Sequence, residues 1–294
     1  MDINEEIQSS ILRLNQKITE GTVTNDDFTA TWTYVVLLPM YYYELVITES
    51  NHTKLGYNRE QAVIYGLLVR IRKFLAYLRR YACKGVLEHE VAAMMGRAIF
   101  EANFRLQYYI EYPEDIENYY LDGFKAETEF EDLIAKRREE RAQTGSVDKD
   151  ADEYEEGLLK SIYDTYASVG LTSEQIRANK NKQKPVEQMI RALGYEDMYF
   201  AYRNLCHATH GDWQDAFKNN LKKTGDKFYP DLNDHGTDIR ELNPITLISI
   251  LTLEVFINDY PGHGLDISDE LQTVKEGIVE LEQLHSEYLL NQGR

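Results

Sequence analysis

The chain has 294 residues, with 32 Lys and Arg against 50 Asp and Glu, a formal net charge of −18 and a hydrophobic fraction of 43%. That composition is globular rather than disordered, long enough for one large domain or two small ones, and too acidic for a protein that coats itself with nucleic acid. Cys83 and Cys206 stand far apart with no C-x-x-C spacing, which argues against a disulfide framework or zinc ribbon and predicts a reducing, cytoplasmic setting.

The first residues, Met1-Asp2-Ile3-Asn4-Glu5-Glu6, are acidic and lack the layout of a signal peptide. The most apolar run, 34–47, is too short to span a bilayer, so a soluble protein without membrane contact is expected. Tyrosine is abundant, with 22 copies against 10 Phe. A buried tyrosine fills a helix interface while its hydroxyl reaches a polar partner, so polar seams between helices are expected.

Helical periodicity dominates the chain and predicts an all-α, multi-helix bundle of about ten helices. A first amphipathic helix covers 3–20 and stops at Gly21. Asn25 opens the second, which Pro39 kinks or splits before residue 49. Asn58 caps a third, with Ile64, Leu67, Leu68, Ile71, Leu75 and Leu78 on its apolar face. A fourth spans 87–111.

Pro113 then begins a long charged helix to about residue 142, expected to lie exposed as an arm. Residues 143–153 read as a linker. Helices resume at Leu158, at Thr172 and at Pro185, and 195–210 forms another that ends at Gly211. Asp212 caps a short helix through Leu221, 224–242 is loop, Asn243-Pro244 opens a strongly apolar core helix to Tyr260, and 266–290 closes the chain. The expectation is a single helical domain over 1–294, with the arm and linker at 113–153 and a core at 87–260.

The phosphate-binding glycine loops, the G-x-S-x-G elbow and H-E-x-x-H are all absent, and His89-Glu90 has no second histidine four residues after His89. The segment around Arg203 remains. On a helix, Arg203, His207 and His210 fall on nearly one side, with Cys206 at its edge. Histidine moves protons near neutral pH, and arginine holds a scissile phosphate and its developing charge. Such chemistry needs no metal. Cys206 reads better as a small buried residue than as a nucleophile.

A second stripe, Arg97, Glu101 and Arg105, stacks turn upon turn within an apolar stretch, where charges must be paired or wet. It is either a polar cleft facing His210, with Arg97 or Arg105 on a phosphate, or an ion network that fixes how two helices meet. For a metal, His207, His210, Glu101 and Asp212, or His235 and His263 with nearby aspartates, offer ligands but no recognisable spacing. No metal or cofactor is therefore expected.

Two resemblances follow from these motifs. Arg203-Asn204 followed by His210 resembles the signature of the HEPN superfamily of helical ribonucleases and toxins. Gly96-Arg97-Ala98-Ile99-Phe100-Glu101 together with Tyr202-Arg203-Asn204-Leu205-Cys206-His207-Ala208-Thr209-His210-Gly211-Asp212-Trp213 resembles a bacterial family of helical proteins of unknown function. That likeness covers roughly 90–220, with the helix after 244 as the closing core helix. It implies a fold and no activity.

The HEPN resemblance implies a metal-independent ribonuclease or toxin of stress or phage defence, its site shared across a homodimer. RNA is then the substrate, His210 the acid/base, Arg203 the phosphate clamp and Asn204 a positioning group, with His207 as the second candidate histidine. Arg97, Glu101, Arg105, Tyr202 and Trp213 contact the substrate. The competing expectation is a protein-binding or scaffold module that engages a partner through the 113–142 arm, its Arg/Glu/His face structural.

Overall fold

The structure, a computed structural model, describes residues 3–49, 56–146, 148–179, 181–210, 213–233, 236–260 and 266–292. It is all-α and multi-helical, with one small hairpin. Helices α1 (Ile3–Thr19), α2 (Asn25–Val35), α3 (Leu37–Thr48), α4 (Arg59–Ala82) and α5 (His89–Glu111) precede α6 (Ile116–Asp122), α7 (Lys125–Thr144), α8 (Lys149–Ser168) and α9 (Ser173–Ala178). Then come α10 (Val186–Ala192), α11 (Glu196–His210), α12 (Trp213–Asp215), strands β1 (Leu221–Thr224) and β2 (Lys227–Pro230), α13 (Ile239–Asp259) and α14 (Ser268–Asn291).

The chain divides into two compact units, one of residues 1–111 with 186–294 and one of residues 112–185. In the first, α13 is the central core helix. By length and composition alone it is apolar enough to cross a membrane, but it packs against α2, α3, α5, α11 and α14. Its inner face joins α2, α3 and α5 through a buried polar seam. Trp32 Nε1 donates to Thr246 Oγ1 (2.9 Å), Tyr43 OH to the Ser249 carbonyl (2.9 Å), and Gln107 Nε2 to Thr252 Oγ1 (2.7 Å). The hydroxyls of Thr246, Ser249 and Thr252 in turn donate to the carbonyl four residues back, so each of these three hydroxyls has a partner. Gly96 lies where α5, α11 and α13 converge. A Cβ there would stand 2.6 Å from Ile245 Cδ1 and 3.4 Å from Leu205 Cδ1, so glycine sets the approach of the three helices.

The second unit has its own small core of Leu121, Tyr166, Leu171 and Ile176. The expected single long helix is broken at Gly123 into α6 and α7, and the expected linker is helical from Lys149 onward. Gly145, at φ +65°, ends α7 in the left-handed conformation that glycine adopts without strain. Arg138 and Arg141 then meet Glu155 (3.1 and 2.6 Å) while Arg141 also meets Asp152 (2.7 Å). Pairs that run in opposite senses along the two helices make α7 and α8 a helical hairpin. Arg138 and Arg141 are thus committed to carboxylates within this unit.

Three further expectations change. Residues 224–242 are not all loop: β1 and β2 pair antiparallel about Gly225 at φ +61°, a two-residue turn chemistry the sequence carries in Gly225-Asp226. The segment after α12 continues as a π-helical turn over Ala216–Asn220. The core helix begins at Ile239, capped by the Asp238 side chain, and Pro244 sits inside it. Gly211 and Asp212, as well as Val147, His235 and His263, lie outside the described residues.

Candidate functional site

The seam between α5 and α11 brings together residues more than a hundred positions apart. On α5, Arg97 Nε donates to Glu101 Oε1 (3.0 Å) and Arg105 Nη1 to Glu101 Oε2 (3.1 Å). From α11, Tyr202 OH donates to Glu101 Oε1 (3.3 Å), and Arg97 Nη1 donates to His210 Nε2 at 3.0 Å. One carboxylate therefore holds two guanidiniums, and one of these reaches the histidine at the end of α11. The side chains of Arg97, Glu101 and Arg105 keep 19%, 22% and 24% of their surface in contact with solvent, so the group is partly dried yet reachable.

An arginine offers only donors, so the Arg97 contact fixes Nε2 of His210 as the acceptor and places the ring proton on Nδ1. Burial pushes the Glu101 carboxyl upward, but the Arg105 charge and the Arg97 hydrogen bond outweigh it and hold the group below the usual carboxylate range. A carboxylate so stabilised is a weak base. Its part is to orient arginines rather than to take protons. Burial, then the adjacent Glu101 charge, push the Tyr202 phenol well up, so it remains a neutral donor. Arg105 Nε is buried without a partner.

The arginine that meets His210 is thus Arg97, on the stripe offered as a polar cleft facing that histidine, and not Arg203 of its own helix. Arg203 is exposed and takes no part in this network. Around α11, at about 100° per residue, Arg203 falls between His210 and His207 on the solvent ridge. Tyr202 and Cys206 are buried toward α5, and Cys206 Sγ donates to the Tyr202 carbonyl (3.3 Å). Trp213 stands apart from the network. It is 63% exposed and stacks with Phe217 and edge-on against Phe228 of β2.

A cavity of about 400 Å³ opens on the neighbouring edge of α11, reached by Asn204 and His207 from that helix and by His89, Asp215, Arg240 and Glu241. This part of the site escaped the sequence reading, which set His89 aside. Thr237 N–H donates to the Leu87 carbonyl (3.2 Å) and Glu88 pairs with Gly236, so the starts of α5 and α13 are tied side by side. His89 and Glu241, each in the first turn of its helix, are thereby brought into contact, Nδ1 to carboxylate. That hydrogen bond outweighs burial and raises the His89 pKa. Glu241 Oε2 is buried without a partner. Only the pairing of Leu87 and Glu88 with the segment before α13 could have signalled the dyad, and no local pattern marks it. Among the described residues no group of three or more His, Cys, Asp or Glu is arranged to hold a metal ion.

Comparison with curated proteins and with solved structures gives no match, and none of the comparisons links the chain to HEPN proteins. A family model matches residues 61–228, a stretch that holds both the Arg97–Glu101 helix and the Tyr202–His210 segment, while α13, expected as the family's closing helix, lies beyond it. With more than half its length so matched, the chain belongs to the family of unknown function DUF5677.

Proposed function

We propose that the chain is a metal-independent endoribonuclease whose reactive groups sit on the α5–α11 seam. The observation that carries this reading is the hydrogen bond from Arg97 to His210 Nε2, with Arg97 itself anchored on Glu101. An RNA phosphate entering between them takes over the Arg97 donor, and His210 Nε2 is released to accept the proton of the adjacent 2′-hydroxyl. The 2′-oxygen bonds to phosphorus, the bond from phosphorus to the 5′-oxygen breaks, and the leaving oxygen takes a proton from His207. Residues three apart on a helix stand roughly 5–6 Å from each other at Cβ, which lets His210 and His207 flank one phosphate. Arg97 and Arg105 face the charge that grows on the phosphoryl oxygens, and Arg203 on the solvent ridge draws in the strand.

The HEPN resemblance alone supplies the wider setting, a toxin of stress or phage defence with two copies sharing the site. A binding module is the second reading, favoured by the exposed ring cluster of Trp213, Phe217 and Phe228. Incubation of total RNA and tRNA in EDTA with wild type, His210→Ala and Arg97→Ala separates the two. The ribonuclease reading expects cleavage by the wild type and its loss in both variants, each folded by circular dichroism. A folded wild type that leaves RNA intact, or a His210→Ala variant that cleaves as well as the wild type, overturns it.

A further inference from the structure

We propose that the cavity on the second edge of α11 is a nucleobase pocket selective for guanine; its use during cleavage rests on the ribonuclease reading, while its binding chemistry does not. At about 400 Å³ it accommodates a nucleoside and excludes a folded duplex. Ala93, Leu205 and Pro244 give it apolar walls, and Phe200, 73% exposed, stands at its edge with a ring face free to stack.

Among the polar groups, the Asp215 and Glu241 carboxylates offer acceptors to guanine N1–H and its amino group, and the others supply donors. His89 spends Nδ1 on Glu241 and keeps Nε2 for a ligand, Lys218 adds an ammonium, and Asn204 and Gln214 add amides. A base with two adjacent acceptors suits such a set, and guanine O6 and N7 form that pair; cationic side chains are its usual partners. Uracil and cytosine lack the matching pair and the second ring that fills the volume. The pocket also adjoins the reactive edge of the same helix, since His207 lines the cavity while His210, three residues on, meets Arg97. A nucleotide with its base in the cavity therefore carries its phosphate along the ridge toward His210.

The test is calorimetric titration of the full chain with the 5′-monophosphates of guanosine, adenosine, uridine and cytidine, beside mapping of cleavage sites in end-labelled RNA. The pocket predicts that guanosine monophosphate binds at least about tenfold more tightly than uridine monophosphate, a gap of about 1.4 kcal/mol. Ala208→Phe, which fills the cavity from a half-buried position, lowers that affinity about tenfold, and Gln214→Ala lowers it more modestly.

In RNA, wild-type cleavage falls next to guanosine and Ala208→Phe loses the preference. Guanosine monophosphate binding without RNA cleavage upholds the pocket as a site for a free nucleotide and sinks the ribonuclease. Cleavage with no guanosine preference, or titrations in which all four nucleotides bind alike or not at all, overturns the pocket. An Ala208→Phe variant, folded by circular dichroism, that binds as the wild type does also overturns it.

Discussion

Replacing Glu101 by glutamine keeps the volume of the side chain and removes its charge. In the native protein the carboxylate accepts from Arg97 (3.0 Å), Arg105 (3.1 Å) and Tyr202 (3.3 Å). The amide of Glu101→Gln can still accept at one oxygen, but its NH₂ group then faces the donor of one arginine, and that contact is lost. A hydrogen bond to a charged group contributes about 1.5–3 kcal/mol. With roughly a fifth of each side chain in solvent, screening moves the expected loss to the lower part of that range, about 2 kcal/mol.

In urea, with a slope of about 2–3 kcal/mol per molar, the midpoint falls by roughly 0.7–1 M. The sign of the pH effect follows from the depressed pKa of Glu101 in the folded state. Its stabilisation is complete above the unfolded value of 4.5 and is lost as pH falls through the lower folded value. The gap between wild type and variant should therefore be full at pH 7 and shrink as the pH is lowered below 4.5. Urea unfolding at both ends of that window checks it. A gap under about 0.5 kcal/mol at pH 7, or one that persists undiminished in acid, refutes the account of Glu101 as the ionised anchor of two arginines.

Two histidines titrate in opposite senses. His89, its pKa raised by Glu241, stabilises the fold below its unfolded value of 6.5 and loses that contribution as pH rises through the folded value, so His89→Gln should flatten the decline of stability above 6.5. His285, lowered by burial, contributes above 6.5 and loses it as pH falls, so His285→Gln should flatten the decline on the acid side; melting curves from pH 5.5 to 8 that keep the wild-type slopes in both variants contradict this. Arg141 hydrogen bonds hold Glu155 down to about 2, so the α7–α8 hairpin should keep its helicity to lower pH than in Glu155→Gln, measured by circular dichroism between pH 5 and 2. Thr246→Val strips Trp32 Nε1 of its buried acceptor and should cost about 1–3 kcal/mol in chemical denaturation, a loss that an unchanged midpoint would disprove.

The fold was largely legible because its signals are local. The Asn58 cap, the Gly21 stop and the Thr172 start are chain chemistry within four residues, and each appears where expected. Pro39 falls in the first turn of α3, so the long apolar segment divides at Val36, as a missing N–H there permits. Pro244 misled for the same reason: proline favours a helix start, yet the Asp238 cap begins α13 a turn and a half earlier, and the helix absorbs the lost bond.

Of the site, the stripe of Arg97, Glu101 and Arg105 is readable from its spacing of four. Its meeting with His210 depends on how α5 packs on α11, which no local pattern encodes. The preference for Arg203 arose because it shares a helix with His210, whereas the structure chooses an arginine from across the interface. The His89–Glu241 pair is less legible still, since it follows from a short backbone pairing between two helix starts.

The tight convergence at Gly96 has a consequence for descent as well as for packing. The space that a methyl group would need at residue 96 is already filled by the tip of Ile245, with Leu205 close behind. The three positions draw on one shared volume, so a lineage that gains bulk at residue 96 keeps its three-helix junction only by giving up bulk at 245 or 205. Substitution at these positions is therefore expected to proceed in compensating steps, with 96 and 245 drifting as a pair even though residue 245 lies outside the stretch by which the family is recognised.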